Sequence, residues 1–299
     1  NVNHSLNSFL TRSLQVDSCE KIIQHQLEKL KENPHLHDSI EFNISRSSYV
    51  FDTEDEFAIE YKNIISPKEI EIWHQDLIEI DSFNKSTLEK NNATILKAFS
   101  LLGGNFKYSK KENIKFIRDN MALPFTHHSR LGFVYFAQLN NLLRKEVITE
   151  AQKNSLLLSV KSISTKMKSD AYQVKLGKKS LNNFLDTYGH IRAGNYNLSS
   201  SNLKNNLEFT ELLVQNSERQ DENISLQKVV FSNIDKYFEL NNIPYTASAW
   251  VEMFQTAIAT RENSKFYYTK GIDGILNEIE EQNISDEELF QRLNIEFNQ

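Results

Sequence analysis

The sequence predicts a mainly α protein, a multi-helix domain with a short β element near residues 39–51. The chain of 299 residues has only 8 Gly and 4 Pro, too few for the frequent turns of a β-sandwich or an α/β barrel. Apolar residues recur at helical spacing along most of the chain. With 39% hydrophobic residues and 19 Phe, the chain can also bury a sizeable core.

The charge and the cysteine content of the chain indicate which binding partners and which cellular compartment to expect. The net charge is −6, which gives no overall attraction to nucleic acid or to anionic membranes. No apolar run approaches the roughly 20 residues of a membrane span. A single cysteine, Cys19, excludes an intrachain disulfide and is typical of a reducing compartment. We therefore expect a cytoplasmic protein without nucleic-acid or membrane partners.

The chain starts Asn-Val-Asn, without an initiator methionine. We therefore expect one helical domain over residues 1–299 that is part of a longer multidomain protein, with sub-lobes 1–104 and 109–299.

The first change of pattern follows Pro34, which is expected to end a helical region over residues 5–32. Ile40, Phe42 and Ile44 alternate with polar residues, which predicts a half-buried strand, and 49–51 would add a second short one.

His35 and His37 lie in the same stretch, next to two carboxylates. A metal site would use such residues, but no further cysteine or histidine follows at ligand spacing. We favour a surface turn in which His37 is hydrogen-bonded locally, and we predict no metal ligand in the chain.

The remaining segments predict helices with recognisable ends. Pro67 after Ser66 begins one helix and Thr149 caps another. The expected ranges are 67–81, 85–102, 111–148 with an interruption at Pro124, 149–170, 207–215, 225–240, 247–260 and a last short helix opened by Ser285.

The most informative stretch is Phe184–Ser199, which breaks a helical run with two glycines. Tyr188, His190 and Arg192 offer a hydroxyl, a group that titrates near neutrality and a permanent cation with a planar donor fork. A loop of this kind suits an anionic or hydroxylated ligand. The alternative is a helix C-cap whose histidine and arginine only hold main-chain carbonyls.

Two further clusters carry cations. Arg130 follows two histidines and could hold a phosphate or carboxylate, although a helix start capped by Thr126 explains the same residues. Residues 261–271 interleave cations with aromatic rings, as nucleic-acid binders do, but the acidic chain argues against that. We favour a packing role for Phe266 and Tyr268, with Arg261, Lys265 or Lys270 facing a ligand or a partner domain.

The motif 188–196 resembles a stretch in the middle domain of phosphotransferases related to phosphoenolpyruvate synthase and pyruvate phosphate dikinase. The similarity is strongest to the synthase-like proteins associated with surface polysaccharide genes, and more distant to rifampicin phosphotransferase. Residues 37–44, 184–186 and 261–273 support it in order and spacing.

The resemblance implies a function shared with other modules. Such enzymes pair an ATP-grasp module with a mobile phosphohistidine module, and this chain shows the sequence signature of neither. It would therefore be the helical domain that binds the acceptor, a small molecule or a sugar, and would not be catalytic alone. ATP and Mg²⁺ would belong to the full-length enzyme, with no cofactor in this chain.

The resemblance also assigns roles. His190 would orient the acceptor hydroxyl or act as general base, Arg192 would be a cation for phosphate or a ligand anion, and Tyr188 a hydrogen-bonding wall. Relatives often carry proline where Ala193 stands and an acid where Asn197 stands, so the amide departs from the pattern in charge. The substrate-binding set is Tyr188, Tyr196, Asn197, Arg130, Lys265 and Lys270.

A second interpretation stays open. The chain could be a non-catalytic helical scaffold that docks partner modules and uses the 188–196 loop only for packing. A stand-alone hydrolase is disfavoured because the sequence has no serine elbow.

Overall fold

The computed structural model describes residues 13–51, 54–102, 110–192, 200–219 and 228–280. It confirms the mainly α prediction. The α-helices are α1 (Val16–Glu32), α2 (Ile40–Asn43), α3 (Glu54–Tyr61), α4 (Pro67–Ser86), α5 (Leu88–Leu102), α6 (Lys110–Ile117), α7 (Leu123–Arg144), α8 (Glu150–Leu158), α9 (Ile163–Lys175), α10 (Leu181–Tyr188), α11 (Leu207–Gln215), α12 (Lys228–Leu240) and α13 (Ala247–Glu280).

The described residues form two compact units, each assembled from three chain segments. Unit 1 draws on Asn1–Lys90, Thr126–Ser162 and Asp221–Arg261, and unit 2 on Asn91–Phe125, Ile163–Gln220 and Glu262–Gln299. These interleaved units differ from the consecutive sub-lobes 1–104 and 109–299 suggested by the sequence. Membership of a longer protein stays a prediction.

Unit 1 contains two hydrophobic clusters. In the larger cluster, Trp250 stacks on Phe254 at 5.6 Å between ring centroids, and Phe51 meets Phe238 edge-on at 5.0 Å. In the smaller cluster, Tyr61 packs edge-on against Trp73 at 4.9 Å. Burial of such large rings is the main contribution to the stability of a unit of this size.

The predicted β element near residues 39–51 is wrong. Pro34–Ser39 forms a 3₁₀ turn and continues into the short helix α2, with no strand in the described part of this region. The alternation of Ile40, Phe42 and Ile44 spans only five residues, which is too short to separate the two periods. Within the same stretch, His37 Nδ1 lies 3.2 Å from the Pro34 carbonyl, so the predicted local hydrogen bond of His37 is confirmed.

Residues 44–51 are irregular because helical side chains, instead of a neighbouring strand, satisfy their main chain. Asp81 Oδ2 accepts the Tyr49 N–H at 2.9 Å, and the Tyr237 hydroxyl donates to the Phe51 carbonyl at 2.8 Å. The Arg130 guanidinium donates to the Ser47 carbonyl. These side-chain hydrogen bonds hold the segment on unit 1 in place of the main-chain bonds of a β-ladder.

The predicted interruption at Pro124 takes the form of a π-helical turn. Arg118–Ala122 widens to π geometry between α6 and α7, so the chain passes the proline without breaking the helical rod. Thr126 therefore lies inside α7 and does not cap a helix start as the alternative reading assumed.

Other boundaries follow their caps. Ser66 and Thr149 each form a reciprocal capping box, as the sequence predicts for a helix start. The single helix expected over 149–170 is two helices, α8 and α9, separated at residues 159–162. The helix expected to end at residue 260 runs on to Glu280. The expected helix at Ser285 lies outside the described residues.

One core cluster of unit 2 joins residues of several helices. Phe184 and Tyr188 of α10 are fully buried and meet Phe266 of α13 and Ala171 of α9 in one cluster. A second cluster joins α5, α6 and the π turn through the buried residues Ala98, Ile117 and Met121. Helices α9, α10 and α13 contribute to the lining of the cavity described next.

Candidate functional site

A cavity of about 810 Å³ lies within unit 2. Its walls come from α9, the end of α10 and residues 190–192, residues 213–218 and one face of α13, with Phe125 at the start of α7. The lining is largely apolar and includes Phe125, Ile163, Met167, Ala171, Phe266 and Tyr268. This volume is in the range of pockets that bind drug-sized ligands.

The glycine after α10 gives the wall its shape. The Gly189 N–H donates to the Leu185 carbonyl at 2.7 Å and closes the last turn of the helix. A Cβ at this position would lie 2.4 Å from that carbonyl oxygen and 3.2 Å from Cβ of Lys204. Only glycine allows this approach. Residues 189–191 can then pair with 203–204 through the bonds Leu203 N–H to Ile191 O at 2.9 Å and Lys204 N–H to Gly189 O at 3.0 Å.

His190 contributes a buried imidazole to the cavity wall. The residue is 8% exposed, and Phe266 packs against its ring at 4.7 Å in an edge-on arrangement. Neither ring nitrogen makes a hydrogen bond of ordinary geometry among the described residues. Buried polar atoms without a partner are uncommon in proteins. This imidazole is therefore a candidate contact for a ligand.

The surroundings of His190 keep its ring neutral. Burial lowers the pKa of His190 to about 4, and the charge of Lys270 adds to this. Asp273 and the main chain of Phe266 oppose the shift only in part. At neutral pH one ring nitrogen can accept a hydrogen bond and the other can donate one.

Arg192 lines the same cavity, but its guanidinium is engaged. Nη1 donates to the Ser200 carbonyl at 2.7 Å, and Nη2 pairs with Asp273 Oδ1 at 2.9 Å. Both side chains of this ion pair are 12% exposed. Asn202 Nδ2 donates to the same carboxylate oxygen at 3.3 Å. The carboxylate balances the charge that Arg192 was expected to offer to a phosphate.

Tyr188 lines the cavity with its ring, while its hydroxyl is bound elsewhere. The hydroxyl donates to Asp170 Oδ2 at 2.8 Å, and Lys179 Nζ lies 2.8 Å from the same oxygen. Burial and this carboxylate raise the pKa of Tyr188. Tyr188 is thus an apolar wall, and the expected hydrogen bond from its hydroxyl to a ligand would require release from Asp170.

Of the two lysines predicted to bind substrate, one lines the cavity and the other does not. Lys265 lines the cavity beside Phe266. Lys270 is not a lining residue: its Nζ reaches the Asp186 carbonyl at 3.4 Å and lies over the rings of Phe99 and Phe266 at 5.8 and 5.9 Å.

Arg130 belongs to unit 1 and does not line the cavity. Its burial there lowers the pKa of its guanidinium, although the charge of Asp81 opposes this. Tyr196 and Asn197 lie outside the described residues.

Sequence reasoning missed the acidic residues of the site. Asp273 is 81 positions from Arg192, so their pairing is visible only in the folded chain. A signal for α13 was nevertheless present: Glu262, Lys265, Thr269 and Asp273 recur at helical spacing and all line the cavity. Extending the helix past residue 260 would have placed them on one face.

The comparisons give no relative for this chain: no protein-family model, no curated protein and no solved structure matches it. No group of three or more potential metal-ligating side chains occurs among the described residues. None of the described helices is long and apolar enough to cross a membrane.

Proposed function

We propose that unit 2 binds a hydroxyl-bearing acceptor in its cavity, and that the chain is the acceptor-binding domain of a phosphoenolpyruvate synthase-like, ATP-dependent phosphotransferase. The domain is incomplete without ATP-grasp and phosphohistidine modules of the same polypeptide, which supply ATP, Mg²⁺ and the transferable phosphoryl group. The observation that carries the proposal is the buried imidazole of His190 at the wall of an apolar cavity, whose ring nitrogens make no hydrogen bond of ordinary geometry with the described residues.

A neutral imidazole suits the first step of phosphoryl transfer. The acceptor hydroxyl must be oriented and must lose a proton as the new O–P bond forms. His190 accepts a hydrogen bond from that hydroxyl through one ring nitrogen and takes its proton during transfer. A base with a pKa near 4 is weak in the free protein, but the negative charge of an arriving phosphoryl group raises the pKa of a nearby imidazole. Proton uptake is then coupled to the arrival of phosphate.

The apolar wall supplies most of the affinity in this proposal. Phe125 stacks on Tyr268 at 5.7 Å and an interplanar angle of 17°, and both rings line the cavity. Rigid aromatic walls bind the apolar body of a ligand, whereas a few polar groups fix its orientation. The acceptor therefore combines an apolar body with the reacting hydroxyl.

The test uses the full polypeptide that contains this chain. It is incubated with ATP labelled in its transferable phosphoryl group, Mg²⁺ and a panel of amphipathic alcohols, and label in the alcohol is measured. His190→Gln is expected to lower transfer by about a hundredfold or more, the usual range for a general base. Binding of the alcohol by calorimetry should change far less.

The matched control is His35→Gln, because His35 is an exposed histidine of unit 1. It should leave transfer unchanged. Transfer that proceeds at the wild-type rate in folded His190→Gln protein would contradict the proposed role of the imidazole. Failure of every alcohol to bind would contradict the proposed function itself.

One observation favours the scaffold interpretation as a second candidate. Helix α11 exposes Leu207, Phe209 and Leu212, which are 51%, 42% and 54% exposed. Exposed apolar side chains grouped on one short helix are a feature of docking surfaces. Leu212→Lys would disrupt docking without affecting the cavity, so loss of module association with intact ligand binding would favour the scaffold.

A further inference from the structure

The charges that line the cavity cancel. Among the described lining residues, three cations, Lys168, Arg192 and Lys265, are matched by three carboxylates, Glu218, Glu262 and Asp273. His190 adds no charge at neutral pH because burial lowers its pKa to about 4. The cavity therefore combines an apolar lining with a net charge of zero.

Opposite charges compensate each other most closely in the buried part of the lining. Lys168 and Glu218 are exposed to solvent, so water screens their fields. Arg192 and Asp273 are 12% exposed and are joined by a 2.9 Å ion pair. An ion that enters beside such a pair loses its hydration without gaining an uncompensated opposite charge.

We propose that Asp273 determines the charge selectivity of the cavity for its acceptor: by pairing with Arg192 it restricts the acceptor to an uncharged amphipathic alcohol and disfavours acceptors that are themselves anionic, such as sugar phosphates. The transferred phosphoryl group arrives bound to its carrier histidine and is not selected by this pair. This inference rests on the proposed function and specifies its acceptor. It assigns Asp273 a role that the Arg192 sequence motif alone does not indicate, since an unpaired arginine there would select anions.

Two fluorescent probes test this selectivity. N-phenylnaphthylamine is uncharged, and anilinonaphthalene sulfonate adds a sulfonate to the same ring system. The wild-type protein is expected to bind the uncharged probe at least about tenfold more tightly, because the sulfonate must give up its hydration beside an arginine whose charge Asp273 already balances. Ile272→Trp, which fills the cavity from α13, should weaken both probes and so identify the cavity as their site.

Three charge variants then separate the contributions of the pair. Asp273→Asn leaves Arg192 uncompensated and should improve sulfonate binding by about tenfold relative to the uncharged probe. Arg192→Gln should weaken the sulfonate further. The double variant restores neutrality and should return the wild-type preference. Glu211→Gln is the charge-matched control, because Glu211 is exposed on α11 and does not line the cavity.

Each outcome tests either the charge selectivity of the cavity or the proposed function. Equal affinities of the wild-type protein for both probes would overturn the charge selectivity, as would a preference that neither Asp273→Asn nor Arg192→Gln changes. If Asp273→Asn fails to fold by circular dichroism, Arg192→Gln and the double variant carry the decision. Binding of the uncharged probe that Ile272→Trp leaves intact would instead show that the cavity does not take up an uncharged amphipathic molecule, which contradicts the proposed function.

Discussion

Replacing His190 by Gln is expected to remove a loss of stability that the wild-type protein undergoes as the pH falls from about 6.5 to about 4. The pKa of His190 is lowered to about 4 in the folded protein, from 6.5 for an ordinary histidine. Between these values the unfolded chain binds a proton that the folded chain does not. Acidification therefore favours unfolding. The free energy of unfolding is unaffected by this proton only at pH values above the pKa of His190 in the unfolded chain.

The size of the effect follows from the two pKa values. At pH 5 the unfolded ring is mostly protonated and the folded ring mostly neutral, which favours the unfolded state by a factor of about 30, or about 2 kcal/mol. Gln has a similar size and no charge at either pH, so its variant lacks this term. The pKa of His128 is also lowered by burial, but that residue is present in both proteins and its contribution cancels.

The measurement is urea unfolding, followed by far-ultraviolet circular dichroism at pH 7 and pH 5 and constant ionic strength. The stability difference between wild type and His190→Gln should shift by about 2 kcal/mol between the two conditions in favour of the variant. His35→Gln provides the matched control, since His35 is exposed.

Proton NMR gives an independent measurement of the same pKa. Among the 8 histidines of the chain, the ring signal absent from the spectrum of His190→Gln identifies His190. A pKa near 6.5 for that signal, or a stability difference that is the same at both pH values, would refute the burial argument.

The remaining predictions concern stability and share the urea assay. Gly189→Ala should destabilise the protein by more than about 2 kcal/mol because its Cβ would overlap the Leu185 carbonyl. Gly177→Ala is its comparison: Gly177 has φ +70° and open space around it, so only the left-handed backbone costs about 1 kcal/mol. Equal effects of the two would contradict this distinction. Tyr188→Phe should cost about 1 kcal/mol through loss of its hydrogen bond to Asp170, and a neutral result would show that the bond is not formed in solution. Burial raises the pKa of Asp81 to about 7, so wild type loses stability as the pH rises from about 4 to 7. The Asn variant should gain more than about 1 kcal/mol relative to wild type over that interval; a pH-independent difference would refute the raised pKa.

Local signals in the sequence predicted the fold better than they predicted the site. The caps at Ser66 and Thr149 act within one helical turn, so the sequence alone locates those helix starts. The strand prediction at Ile40 failed because an alternation over five residues does not separate a strand from a helix. The second strand, at residues 49–51, was wrong because the main-chain bonds there depend on distant side chains such as Asp81. The same limit applied to the site. His190 and Arg192 were expected to belong to one ligand site, and both line the cavity, but the carboxylate that neutralises Arg192 comes from a helix far along the chain.

Both tryptophans of the chain, Trp73 and Trp250, lie in unit 1, where they are 0% and 1% exposed. Selective excitation of tryptophan emission consequently probes two buried positions of unit 1, and unit 2 contributes no intrinsic indole signal. A molecule lodged beside His190 that alters this emission would reveal communication from one unit to the other. If calorimetry shows that the ligand binds and the tryptophan emission does not change, ligand binding does not affect the surroundings of the tryptophans in unit 1.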